Sequence, residues 1–192
     1  LLSGEKSFSD IMINDLDWYQ ANGITLHAGP HKTVTRVDRK RRVVFAEDGT
    51  EARYDRLLLA TGSNPFVIPV PGNELRGVIS FRDLRDVDAM LDAAASRGHA
   101  VVIGGGLLGL EAANGLLKRG MQVTVVHNLP VLMNRQLDTT ASALLLRELE
   151  ARGLQFRLET RTSCFEGDEN SQVRAVRFDT GESLPADLVV MA

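Results

Sequence analysis

The 192-residue chain has only one cysteine, Cys164, and aromatic residues make up just 5% of it. A lone cysteine excludes an internal disulfide framework and a paired-cysteine redox centre, so we interpret Cys164 as a structural or surface thiol. No apolar run reaches the roughly 18–20 residues of a membrane-spanning helix, and no membrane partner is expected. Positive charge is not in surplus either, with 22 Lys+Arg against 25 Asp+Glu. Nucleic acid, whose binding draws on excess positive charge, is therefore not an expected partner.

What the chain does contain is ordinary for a folded protein, with 44% hydrophobic and 24% charged residues. It begins on leucine rather than methionine, and its first residues do not resemble a signal peptide. It ends on the apolar run 187–192, which has the pattern of a buried strand. We therefore expect a piece of a larger cytoplasmic protein, cut close to its last strand.

Proline and glycine divide the chain into two parts. Residues 1–75 are predicted to form a short helix followed by a β-meander, and they end in a proline-rich stretch. The predicted elements are a helix over 10–20 and strands over 24–27, 34–37, 42–45 and 54–60. The pair Asp48-Gly49 predicts a hairpin turn, because both residues tolerate positive φ.

Residues 76–192 alternate between helical and extended patterns. The predicted elements are helices over 83–97, 107–119 and 137–152, strands over 100–103, 122–126, 155–158 and 187–192, and a β-meander over 162–185. This alternation predicts an α/β fold with a parallel sheet.

A glycine-rich turn lies between the strand 100–103 and the helix 107–119. Its glycines, Gly104, Gly106 and Gly109, have the spacing G-x-G-x-x-G of a dinucleotide-binding turn. In that geometry the first glycine makes the tight turn, the second lets a pyrophosphate approach, and the third allows close packing of helix on strand. The start of the helix then offers free N–H groups to the phosphates. The simpler alternative is a tight strand–helix turn with no ligand.

The acidic residue that usually follows the second strand is replaced by His127, 18 residues after Gly109. A neutral histidine can accept a hydrogen bond from ribose hydroxyls, and a protonated one favours a 2′-phosphate. Alternatively, His127 only caps the strand. The choice between NADH and NADPH is therefore open at this stage.

Two stretches together resemble the pyridine nucleotide–disulfide oxidoreductases, which are flavoproteins with two dinucleotide sites. One is the run Gly104-Gly105-Gly106-Leu107-Leu108-Gly109-Leu110-Glu111, and the other runs from Tyr54-Asp55 to Asn64-Pro65. The resemblance covers the whole chain. It implies a three-layer β/β/α, Rossmann-like NAD(P)-binding domain over 76–192, attached to a partial FAD-binding segment over 1–75.

Within that class, three phrases are similar to the large subunits of NAD(P)H-dependent nitrite reductases, which serve nitrate assimilation. They are residues 17–24, residues 106–113, and Leu132-Met133 followed by Gln136-Leu137-Asp138. The resemblance implies FAD and NAD(P)H as cofactors, with sirohaem and an iron–sulfur cluster held outside this chain. It implies the rest of a longer polypeptide and a small subunit as protein partners. The FAD site is expected to be incomplete here, and the chain is not expected to be active alone.

The same resemblance assigns site residues for each nucleotide. Around NAD(P)H it implies the backbone of Gly104, Gly105, Gly106 and Gly109, the pocket residues Leu107 and Leu108, and Glu111 near the nicotinamide. For FAD it implies contacts from Val34, Ala60, Thr61 and Gly62. Hydride transfer depends on how two rings are stacked, so no catalytic side chain is assigned. No metal ligand is assigned either, because His27 and His31 lie in a strand–turn segment where their spacing does not put them on one face.

Two other hypotheses are kept beside this one. The chain is alternatively part of a stand-alone ferredoxin or rubredoxin reductase or an NADH oxidase. In a different class, it is a non-catalytic module that senses the NAD redox state. The flavin-type stretch 54–65 argues against the sensor, because sensing requires only the domain around Gly104–Gly109.

Overall fold

The computed structural model describes all 192 residues and divides into two compact units. The smaller unit comprises residues 11–63, and the larger comprises residues 1–10 together with 64–192. A single helical turn, α1 (Phe8–Ile11), lies at the first junction. None of the helices in the structure has the length and apolar character of a membrane span.

The smaller unit begins with helix α2 (Leu16–Ala21). One continuous helix over 10–20 was predicted, and the structure instead breaks it before Asp15. The Asp15 carboxylate accepts a hydrogen bond from the Trp18 N–H at 2.8 Å and so starts a new helix. Aspartate favours this N-cap position because its side chain satisfies an N–H group that has no partner within the helix.

A three-stranded antiparallel sheet completes the smaller unit. Its strands, in sequence order, are β1 (Val34–Asp38), β2 (Val43–Ala46) and β3 (Glu51–Arg53). The hairpin predicted at Asp48-Gly49 is confirmed, with Gly49 at φ +84° between β2 and β3.

The strands predicted over 24–27 and 54–60 are wrong. Both segments lack regular structure, and Leu58 and Leu59 are 87% and 72% exposed. A strand is stable only when a neighbouring strand takes its backbone hydrogen bonds, and no part of the chain supplies one here. The apolar side chains that predicted these strands are therefore exposed to solvent in this chain.

The larger unit contains the remaining helices and strands. They are β4 (Val78–Ser80), α3 (Leu84–Ala94), β5 (His99–Ile103), α4 (Leu107–Lys118), β6 (Gln122–Val126), α5 (Thr139–Ala151), β7 (Gln155–Arg157), β8 (Thr162–Gly167), β9 (Val173–Phe178), β10 (Ser183–Pro185) and β11 (Leu188–Met191). Strands β8 to β10 form an antiparallel sheet, and the other five form a parallel sheet in the order β4-β11-β5-β6-β7.

Three layers result from the alternation of side chains along the central strands. On β5, Ala100 and Val102 pack in the cluster that contains the helices, whereas Val101 packs in the cluster that contains the antiparallel sheet. Successive side chains of a strand point to opposite faces, so each strand contributes to both cores. The parallel sheet is therefore covered by helices on one face and by β8–β10 on the other. This confirms the predicted α/β fold of three-layer β/β/α type.

The residues before 76 do not all lie in the smaller unit. Leu2 is buried in the helix-side core of the larger unit, and Arg119 donates through Nε to the Leu2 carbonyl oxygen at 2.6 Å. The Phe165 N–H donates to the carbonyl oxygen of Pro71 at 2.9 Å. The compact units thus differ in extent from the two binding segments proposed from sequence, whose boundary at residue 75 stays a prediction.

Candidate nucleotide-binding site

The turn after β5 lies at the point in the parallel sheet where the order of strands changes side. The chain adds β6 and β7 on one side of β5 and later adds β11 on the other. The first glycine of the turn, Gly104, has φ +130° and donates its N–H to the Val126 carbonyl oxygen at 2.9 Å. In sheets of this kind, ligands bind in the crevice beyond the carboxyl ends of the strands at such a reversal.

Two glycines of the turn are required by the packing of the protein itself. A Cβ atom added to Gly104 would lie 2.2 Å from the carbonyl oxygen of Ala192. One added to Gly109 would lie 2.0 Å from the carbonyl oxygen of Gly104. Both distances are far below van der Waals contact, so the strand, the turn and the helix approach one another only because these positions lack side chains.

Gly106 differs from both, because the space around it is open. It is the N-cap of α4 with φ −88°, and a Cβ atom there would meet nothing within 4 Å. The N–H groups of Leu107, Leu108 and Gly109 follow it in the first turn, where helical N–H groups have no partner within the helix. An anionic group placed over Gly106 would meet these donors and the positive end of the helix dipole.

The peptide groups of Gly105 are held on both sides. Its N–H donates to Nδ1 of His127 at 3.2 Å, and its carbonyl oxygen accepts from the Met133 N–H at 2.9 Å. The imidazole and the fully buried Leu132 side chain fill the space beside it, where a Cβ atom would lie 2.7–2.8 Å from them. The absence of a side chain at Gly105 therefore makes room for His127 and Leu132, and not for a ligand on the open face of the turn.

His127 is half-buried at the end of β6. Its own N–H donates to the Arg157 carbonyl oxygen at 2.8 Å, and its carbonyl oxygen accepts from Thr160 at 3.0 Å. Burial lowers the pKa of the imidazole, and the backbone of Val131 opposes that shift. Nε2 is buried and has no hydrogen-bond partner. The ring is therefore directed at the glycine turn, and its contact with ribose stays a prediction.

The other predicted residues are distributed over both units. Leu107 and Leu108 are 62% and 43% exposed at the start of α4, and Glu111 is exposed one turn further along that helix. Val34 is exposed at the start of β1 in the smaller unit. Ala60, Thr61 and Gly62 lie exposed in the segment without regular structure after β3, with Gly62 at φ +72°. Their contacts with nucleotides stay predictions.

Sequence reasoning missed three residues that shape the turn, namely Leu132, Met133 and Ala192. The loop after β6 carries no motif that indicates a return to the glycine turn, so the contacts of Leu132 and Met133 had no local signal. Ala192 had one, because the continuous apolar run of β11 is typical of a central strand. The structure places no three histidine, cysteine, aspartate or glutamate side chains together in a way that could hold a metal ion.

Known proteins resemble this chain along its whole length. Residues 4–192 match the family model described as pyridine nucleotide-disulphide oxidoreductase. The chain is 49% identical over 192 residues to nitrite reductase [NAD(P)H] of Bacillus subtilis (strain 168). It is 44% identical, also over 192 residues, to the assimilatory nitrate reductase electron transfer subunit of the same organism. Both alignments cover 100% of the chain but only 23% and 24% of the relatives, so the chain spans about a quarter of their length.

A solved structure is similar over the whole chain. The ferredoxin reductase for the CYP199A2 system from Rhodopseudomonas palustris superimposes with a TM-score of 0.90 at 27% identity. This match covers 100% of the chain and 46% of the reductase.

Proposed function

Because the chain belongs to the pyridine nucleotide–disulphide oxidoreductase family, we propose that it binds NAD(P)H over the turn Gly104–Gly109, as part of a longer FAD-dependent oxidoreductase. The open space at Gly106 carries this proposal. Backbone atoms occupy the space beside Gly104 and Gly109, whereas the space beside Gly106 is free of protein atoms. That is the position at which the backbone must admit a pyrophosphate.

The residues present fit a bound dinucleotide. The N–H groups of Leu107–Gly109 would hold the pyrophosphate, and the exposed side chains of Leu107 and Leu108 would offer an apolar surface on the nicotinamide side, close to Glu111. When bound, the nicotinamide supplies a hydride and FAD accepts it. For FAD, the proposed contacts are Val34 and Ala60–Gly62, and they make up only part of a site.

We further propose that the longer protein is a nitrite reductase of the NAD(P)H-dependent type, with a small subunit as partner. Support comes from nitrite reductase [NAD(P)H] of Bacillus subtilis, which matches along the whole chain. Electrons would then pass from the flavin to a sirohaem and iron–sulfur centre held by residues outside this chain. The second candidate is a ferredoxin or rubredoxin reductase, favoured by the similarity to the Rhodopseudomonas palustris ferredoxin reductase.

A visible absorption spectrum of the longer protein, purified without air, separates these two candidates. We expect flavin bands together with sirohaem bands. Flavin bands alone would contradict the nitrite reductase proposal and favour the ferredoxin or rubredoxin reductase. The role proposed for Gly104–Gly109 is the same in both cases.

Nucleotide binding itself is tested with Gly106→Val. The valine side chain would fill the open space over the turn, so we expect calorimetric titration with NADH or NADPH to show binding to the parent chain and none to the variant. Gly106 has an ordinary φ and no neighbouring atom at its Cβ position, so the variant should fold. Thr139→Val, at the exposed start of α5, is the matched control and should bind like the parent. Equal affinity of parent and Gly106→Val would place the site elsewhere.

A further inference from the structure

The Gly105 peptide is the one part of the glycine turn that a titratable side chain holds. Its N–H donates to Nδ1 of His127 and its carbonyl oxygen accepts from Met133. Gly105 lies between Gly104, which is fixed against Ala192, and Gly106, over which the ligand space opens. The orientation of its peptide groups therefore sets the direction in which the turn presents Gly106 and the start of α4.

We propose that His127 is a positioning residue for the dinucleotide: its neutral imidazole holds the Gly105 N–H and so fixes the turn, and protonation of the ring releases the turn and weakens nucleotide binding. This inference rests on the proposed binding of NAD(P)H at this turn. It assigns His127 a contact with the protein's own backbone, in place of the direct contact with ribose expected from its position in the sequence.

The direction of the hydrogen bond determines the protonation state that it requires. A backbone N–H can only donate, so Nδ1 must carry no proton, and in the neutral ring the proton lies on Nε2. Protonation would place an N–H group on Nδ1, facing the N–H of Gly105 across 3.2 Å. Two donors cannot share a hydrogen bond, and the turn or the ring would have to move.

The surroundings favour the neutral imidazole, although the backbone of Val131 acts in the opposite direction. The glycine turn packed against it has no titratable group, and α4 contributes only Glu111 near its start. The loop after β6 carries Arg135 and Asp138, and β7 with its following residues carries Arg157, Glu159 and Arg161. No ion pair joins any of these side chains to His127, and the shift in its pKa has no charged group among its causes. Burial lowers the pKa below the ordinary histidine value of about 6.5.

The expected pH dependence follows from that shift. Nucleotide affinity should be constant where His127 is neutral, above its lowered pKa, and should fall as the pH decreases through that pKa. A lost hydrogen bond between neutral groups corresponds to a change of roughly fivefold in affinity. NAD⁺ is the appropriate probe, because the reduced nucleotides decompose in acid.

Two variants separate positioning from simple packing. His127→Asn keeps an acceptor oxygen close to the Nδ1 position but does not titrate, so we expect affinity for NAD⁺ near that of the parent at about pH 8 and no loss at a pH below the pKa that His127 has in the parent. His127→Leu fills much of the same space without an acceptor, and we expect roughly fivefold weaker binding at both pH values. If the ring only filled space beside Leu132, the leucine variant would bind like the parent and the asparagine variant would be the weaker one.

A measurement without nucleotide distinguishes failure of this inference from failure of the proposed function. In ¹⁵N NMR spectra of the 192-residue chain, we expect the imidazole to be the Nε2–H tautomer and the Gly105 amide signal to shift with the titration of His127. A Gly105 signal that does not follow the ring, or NAD⁺ binding by the parent that is independent of pH, would overturn the role of His127 alone. A chain that binds no dinucleotide at any pH would overturn the proposed function, even if Gly105 and His127 titrate together.

Discussion

Gly109→Ala is expected to destabilise the chain by about 3 kcal/mol, because the added methyl group would overlap a backbone atom. The Cβ position lies 2.0 Å from the carbonyl oxygen of Gly104, and neither side of that contact is a flexible side chain. Relief requires α4 to move away from β5, which would disturb the packing of the helix against the parallel sheet. Urea unfolding should therefore show a lower midpoint with an unchanged slope.

Gly106→Ala is the matched control, since it makes the same chemical change three residues earlier in the same motif. Its Cβ position is open and its φ is ordinary, so the expected loss is only about 0.5–1 kcal/mol, from replacing glycine at an N-cap. Equal midpoints for the two variants would contradict the close approach of helix and turn. Nucleotide affinity should show the opposite sensitivity. If the proposed site is correct, a large side chain at Gly106 lowers affinity, although the alanine substitution there has little effect on stability.

Leu116→Ala is expected to lower the free energy of unfolding by about 3–4 kcal/mol. Leu116 is fully buried on α4, in the core between the helices and the parallel sheet. Removing most of its side chain loses apolar burial and leaves a cavity, because other members of the same core, such as Val102 and Leu188, are held in the strands of the parallel sheet.

Leu144→Ala on α5 provides the comparison for this core substitution. The Leu144 side chain is 55% exposed, and alanine is a strong helix former, so the change should stay within about 0.5 kcal/mol. Both variants are measured by urea unfolding of the 192-residue chain. A small effect at Leu116 would mean that α4 is not anchored to the sheet as the structure shows.

Elements whose signals are local could be predicted well. The β5–α4–β6 unit agrees with its prediction to within one residue at each end, because a β-branched strand, a glycine turn and an apolar helix each leave a separate mark in the sequence. The hairpin at Asp48-Gly49 was predictable for the same reason. The strand over 54–60 was not, because its apolar residues have the strand pattern while no strand of this chain pairs with them.

At the site, too, features set by neighbouring residues could be predicted, and features set by distant residues could not. The spacing of Gly104, Gly106 and Gly109 identifies the turn, but it does not distinguish which glycine meets backbone and which meets open space. That difference depends on Ala192, which is 88 residues further along the chain and reaches Gly104 only through the pairing of β11 with β5. The partners of Gly105 likewise come from β6 and the loop beyond it.

The sequence by itself determined the α/β class, the alternation of helices and strands in the larger part, the position of the glycine turn and the family of the protein. Each of these depends on residues that are close together in the chain, where steric preference and hydrophobic period act directly. Only the tertiary structure decided that the imidazole of His127 faces Gly105, that Gly106 is open, and that residues 1–10 pack with the larger unit. Such contacts join distant segments, and they are selected by the packing of the whole core rather than by local preference.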